Sequence, residues 1–367
     1  MHSRYATFLA SASWLSAVLA VAYHVRFLLF VEFASVQPKT TASLAFYFAT
    51  GLGHESFAVF FVVAGIWTGG LLFASPSRTP ARVPLVARLY LVMVLSLMAS
   101  ALLDYLGIYY ANRSGLYADF PAFTTVTLDW HTFAANVLVL QPFLAPTFGS
   151  NAMLYLLSYL IWFSSAAALI AFAIQRYPRQ RTLAFVLVAV AMMLVLPQKA
   201  MPWLFTWLLG IAVVAWGERL RARPSVWVSA LLFTGALVLS RHVTSNGDVL
   251  PPPFGEWLLL WKYFIVAAGF SMVALALYPG SGWQAPGTQA RVSRIMATDS
   301  ACLFFFHFPV VMLLAGLMAD TGFAPLMRAP GAEVYAVFAL ALVLSVICTI
   351  ACGRAICSLA GVRRAPV

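Results

Sequence analysis

The strongest constraint on this chain is a succession of apolar runs, most close to twenty residues long, separated by short polar breaks. A bilayer core of ~30 Å needs ~20 apolar residues to be crossed as a helix. Reading the runs between breaks predicts ten spans, at roughly 8–31, 55–74, 86–106, 152–174, 182–197, 202–217, 225–240, 258–278, 299–319 and 334–356. The expected fold is therefore an all-α, polytopic integral membrane protein, a single domain over residues 1–367. Composition agrees, since 63% of residues are hydrophobic and 9% charged, against ~25% charged in soluble domains. The first apolar segment lacks the basic start and small-residue cleavage site of a signal peptide, so it reads as a retained helix.

The net charge of +11 raises nucleic acid as a partner, but the arginines fall in short clusters between apolar runs. Such clusters are the mark of cytoplasmic loops, and nucleic-acid binding is set aside. Arg78, Arg82 and Arg88 form one cluster, Arg176, Arg179 and Arg181 the next. Arg219, Arg221 and Arg223 follow, then Arg291 and Arg294, with Arg4, Arg354, Arg363 and Arg364 at the ends. The opposite loops and helix ends carry Glu32, Glu55, Asp119, Asp129, Asp248, Glu256, Asp320 and Glu333. This asymmetry predicts ten spans with both termini cytoplasmic.

The longest non-spanning stretch, about Gly107 to Asn151, is expected outside. Within it Phe133 to Leu144 is an apolar piece too short to span, which lies in the interface or re-enters. It holds Asn136 and Gln141 and is closed by Pro142 and Pro146. Cys302, Cys348, Cys352 and Cys357 sit in or beside late apolar segments without the spacing of a metal site or disulfide framework; they read as small buried residues. The break at Leu196-Pro197-Gln198 marks either a hairpin turn or one broken helix.

Ionisable groups inside a bilayer are costly, so those within spans are functional candidates. The first span carries His24 and Arg26 in its outer half, and the second opens with Gly53-His54-Glu55-Ser56. The ninth places His307 in an aromatic run before Pro309. A neutral imidazole at His24 can accept a proton from a hydroxyl that attacks an acyl group, provided the first two spans pack as neighbours and bring Glu55 near. The competing reading is a core histidine bonded to a backbone carbonyl, which is the plainer account of His307. His54 and Glu55 read equally well as a solvated pair near the surface. Arg78, Arg82 and Arg88 either follow the positive-inside rule alone or hold phosphate, which the planar guanidinium fork fits. No glycine-rich phosphate loop accompanies them.

At these residues the chain resembles the acyltransferase family 3 membrane proteins, which modify cell-surface and secreted carbohydrates. Ser13-Trp14-Leu15-Ser16-Ala17 through His24-Val25-Arg26 is similar to that family's first helix, and Phe60-Phe61-Val62-Val63-Ala64-Gly65 to its phenylalanine pair and small-residue turn. Ala87-Arg88-Leu89-Tyr90 resembles its arginine motif. Asn136 to Gln141 and Phe148-Gly149-Ser150-Asn151 resemble its extracytoplasmic segment, and Phe306-His307-Phe308-Pro309 its histidine-proline helix. Three positions depart from the family pattern: Ser13 stands for an arginine, Ala64 for a serine and Leu160 for a glutamate.

The resemblance implies transfer of an acyl group from a cytoplasmic acyl-CoA-type donor, with no tightly bound cofactor, to a carbohydrate hydroxyl across a lipid bilayer, in the bacterial inner (plasma) membrane. His24 would be the base, with Glu55 or Arg26 replacing the missing partners. Arg88 with Arg82 would hold the donor, and Asn136, Gln141 and Asn151 would shape the acceptor side. The alternative is a non-catalytic relative acting as a carrier or flippase-like protein.

Overall fold

The computed structural model describes residues 3–72, 82–120, 128–141, 143–176, 183, 187, 190–191, 194, 196–220, 222–246, 254–279, 287–323 and 326–359. Among them the chain is helical apart from loops and one isolated bridge, Phe30 to Arg328. Nine helical stretches among the described residues are long and apolar enough to cross a membrane. The ten expected spans include 182–197, of which Leu183, Leu187, Val190, Ala191 and Leu194 are helical and exposed. Most of that span lies outside the described residues.

The helices are α1 (Ser3–Leu29), α2 (Thr41–Gly51), α3 (Gly53–Leu72), α4 (Arg82–Tyr110), α5 (Leu116–Asp119), α6 (Trp130–Val137), α7 (Leu154–Arg176), α8 (Met201–Gly217), α9 (Val226–Asn246), α10 (Phe254–Ala276), α11 (Gly287–Asp320) and α12 (Ala332–Leu359). The second span starts earlier than its hydropathy predicts, because α2 is itself apolar and meets α3 across Leu52. A capping box starts α2: the Thr40 hydroxyl accepts from the Ser43 N–H, and the Ser43 hydroxyl accepts from the Thr40 N–H. This reciprocal pairing satisfies two donors that a helix start otherwise leaves bare. At Leu196-Pro197 the chain turns: Pro197 is extended, a 3-10 turn covers Gln198–Ala200, and α8 begins at Met201. The piece expected between Phe133 and Leu144 is the short α6 followed by a tight turn at Val139, whose φ of 59° is left-handed.

Two compact units divide the chain. The first comprises Met1–Ala12, Ala58–Tyr90 and Ser158–Ser293, the second Ser13–Phe57, Leu91–Leu157 and Arg294–Val367. In the first, α3 and α8 cross backbone to backbone at Gly65 and Gly210. A Cβ on Gly65 would overlap the Trp207 carbonyl oxygen, and one on Gly210 the Val62 carbonyl oxygen. Ala64-Gly65 is therefore no turn; α3 runs straight through it, and glycine is there so that two helices can touch. Aromatic rings fill the space around that crossing, with Phe61 and Trp203 at 5.0 Å between centroids and Phe163 and Trp207 at 5.7 Å.

In the second unit, Phe306, Val310 and Ile356 form a core between α11 and α12, closed by Val92, Leu95 and Leu103 of α4. Within the span Ile295–Asp320 of α11, 78% of the most apolar stretch is buried by protein, against 17% for α12. Residues carried on α11 are thus shielded from lipid, whereas α12 presents most of its surface outward.

Candidate functional site: a buried histidine pair

Helical spacing decides where the two candidate histidines point. On α1, Ala17, Ala20, Val21 and Leu28 stand seven, four and three residues before His24 and four after it, and all are buried. That stripe is one helix face, so His24 enters the core with it and is 6% exposed. On α11, Leu303, Phe304 and Val311 share a face with His307 in the same way, and His307 is fully buried. The Phe308 ring lies 4.7 Å from the His24 ring and packs edge-on against it.

The two rings meet, with His307 Nε2 2.9 Å from His24 Nδ1. Their backbone contacts dictate how the protons are arranged. His307 Nδ1 lies 2.6 Å from the Leu303 carbonyl oxygen and His24 Nδ1 lies 2.9 Å from that of Ala20. A carbonyl can only accept, so each Nδ1 carries the hydrogen. With both rings neutral, His307 Nε2 is an acceptor, and the His24 Nδ1–H is shared between it and Ala20. The lone pair of His24 is then left on Nε2, which makes no hydrogen bond among the described residues. One imidazole fixes the tautomer of the other, the part that an orienting acceptor plays for a general base.

The surrounding residues come from α3 and the outer turn of α1. A Cβ on Gly53 would run into the Tyr23 ring, and the His54 ring sits 4.6 Å from Tyr23. The first two spans therefore do pack as neighbours. Glu55 is not at the surface: it is 1% exposed, because the glycine before it brings the start of α3 against α1. Arg26 is half-buried, its guanidinium 5.1 Å from the Tyr23 ring centre and 5.2 Å from that of Tyr47. Neither histidine is hydrogen-bonded to a carboxylate among the described residues.

A second network holds His307 in place. Proline at 309 has no N–H, so the carbonyl four residues earlier, that of Phe305, loses its helical donor. Asn151 supplies the replacement: its Nδ2 donates to the Phe305 oxygen at 2.9 Å and to Ser100 Oγ at 3.0 Å. Both hydrogens of that amide nitrogen are thus used within the fold, while Asn151 Oδ1 is buried with no partner among the described residues. Asn151 is aimed by its neighbour. The Ser150 N–H and hydroxyl both donate to Asp104, at 2.8 and 2.5 Å. Gly149 precedes it with φ 63°, and a Cβ there would overlap the Asp104 carboxylate. Burial and the nearby Asp104 charge push the Tyr117 phenol well above its ordinary value.

Asn136 is likewise occupied. Its Nδ2 donates to the carbonyls of Thr132 and Pro146, and its Oδ1 accepts from the Phe148 N–H, so it ties α6 to the segment leading to Ser150. Gln141 is buried, with Nε2 3.4 Å from the Leu154 carbonyl. Arg82 and Arg88 lie on α4, but their side chains fall outside the described residues. Asp104 was missed in sequence although it carries a plain signal, a carboxylate inside an apolar run. The His24–His307 pairing had no such signal, because 283 residues separate its members.

Against protein families, characterised proteins and solved structures, the chain finds no match.

Proposed function

We propose that this protein is a membrane O-acyltransferase of the acyltransferase family 3 type, and that His24 Nε2 is its general base. One observation carries the reading: a histidine pair buried in an apolar core, hydrogen-bonded so that the free lone pair falls on His24. Acyl-CoA would donate from the cytoplasm and an extracytoplasmic carbohydrate hydroxyl would accept, in a ten-span protein of the bacterial inner membrane with both termini cytoplasmic. His24 takes the hydroxyl proton as the oxygen attacks the thioester carbonyl. The carbon–sulfur bond then breaks, and the imidazolium returns the proton to the leaving thiolate. His307 holds the ring, and its Nε2 accepts a strengthened bond from His24 Nδ1 while His24 carries charge. A positioned base of this kind contributes ~10²–10⁴-fold.

The second reading, a carrier that moves a polar molecule without acyl transfer, draws support from the lack of a carboxylate hydrogen-bonded to either histidine among the described residues. Incubating the purified protein in lipid with labelled acyl-CoA separates the two. Release of free coenzyme A with transfer to water or a sugar is the expected result; uptake of solute with the thioester left intact would favour the carrier.

A further inference from the structure

We propose an anion subsite in the first unit, built by Arg223 and Tyr5, that takes a phosphate group. The two residues meet around the Tyr278 ring. The Arg223 guanidinium lies over its face, 5.3 Å from the centroid, and Tyr5 packs edge-on at 5.3 Å. The ring is fixed on its remaining sides. Its hydroxyl donates to Glu218 at 2.7 Å, and a Cβ on Gly217 would collide with it. Tyr5 is also held by Phe8, which stacks in turn on Phe270.

Two donors in this cluster have no hydrogen-bond partner among the described residues: a buried terminal nitrogen of Arg223 and the hydroxyl of Tyr5, a residue only 4% exposed. A donor left bare in a buried place is costly, the more so when it is charged, so each one calls for an explanation. The stacked face of a guanidinium satisfies its charge in part, but its N–H edge still wants an acceptor in its own plane. The two donors are of different type, a cation and a phenol. Phosphate oxygens accept from both, and its charge pairs with the guanidinium. Glu218 does not stand alone against an anion here: its own carboxylate is bonded to Tyr278, and Arg219 and Arg221 follow it in sequence.

The phosphate has two possible sources, a soluble phosphate ester such as the pyrophosphate arm of coenzyme A or the headgroup of an anionic lipid. Only the first deepens the acyltransferase reading, and the site itself rests on neither. The test uses the full chain in nanodiscs, with coenzyme A and inorganic pyrophosphate titrated into phosphatidylcholine discs. In a second arm Tm is compared between phosphatidylcholine and phosphatidylglycerol discs without soluble ligand. A soluble source gives saturable binding that Arg223→Gln weakens about tenfold or more and Tyr5→Phe about threefold. A lipid source gives no such binding but a higher Tm in phosphatidylglycerol that both variants lose. If Arg223→Gln does not fold, Tyr5→Phe carries the test alone. The proposal is overturned if neither arm responds, or if both variants respond as the wild type does. Acyl transfer is not read in either arm, so an inactive wild type that still binds phosphate would sink the enzyme reading and leave this site standing.

Discussion

At the residue scale the account turns on two nitrogens of His24. Nδ1 is held by Ala20 and His307, and Nε2 makes no hydrogen bond among the described residues. Glutamine at 307 can still present an acceptor but cannot hold the geometry of a ring, so His307→Gln should lower kcat about tenfold with KM little changed. A pH–rate profile shifted along with kcat would mark His307 as acting through His24; a loss of Tm alone would make it structural. Glu55→Gln asks whether that buried acid replaces the glutamate lost at Leu160, and an unchanged rate removes it from the mechanism. His24 and Glu55 were both legible as candidates, since each is an ionisable group in an apolar run. Their burial was only half legible. Nothing in the order of residues says that Gly53 lets α3 close onto Tyr23, and so a pair that read equally well as solvated or functional holds a carboxylate inside the protein.

At the element scale, Pro309 removes one backbone hydrogen bond from α11, and Asn151 replaces it. If the Asn151 amide exists to satisfy the carbonyl that the proline orphans, the two residues must be energetically coupled. Asn151→Ala should destabilise the protein by ~1–3 kcal/mol. In a Pro309→Ala background, where residue 309 regains its N–H, the same change should cost markedly less. Equal Tm losses in both backgrounds would break the link. Asp129 offers a smaller test at the start of α6, where the Thr132 hydroxyl and N–H hold its carboxyl below the usual aspartate range. A depressed folded value means that this cap is fully present above the ordinary aspartate value and is lost as pH falls through the lowered one. Amide exchange in α6, relative to the spans, should therefore accelerate only below that ordinary value. The spans themselves were legible from run length, because a bilayer fixes how many apolar residues a helix needs. The capping-box residues Thr40 and Ser43 are present in the sequence too, but the eleven residues of α2 are too few to cross alone, so run length does not mark them.

At the scale of the whole molecule, the charge asymmetry makes a claim that depends on no family. A reporter fused after Arg179 should read cytoplasmic and one inserted near Asp119 external, and the reverse pair would remove the basis for a cytoplasmic donor. What the sequence could not convey is which helices meet. Apolar residues face protein and lipid alike in a membrane, so the period that marks a core in a soluble helix loses its contrast, and the contact between α1 and α11 emerges only from the fold. The central claim is that this contact makes His24 a base. Its most direct test is the rate of acyl transfer from labelled acyl-CoA by purified protein in lipid, compared between wild type and His24→Gln at matched Tm and expression. The account predicts measurable turnover in the wild type and a loss of ~10²–10⁴-fold in the variant; equal rates in the two, or no turnover from the wild type with any donor, would contradict it.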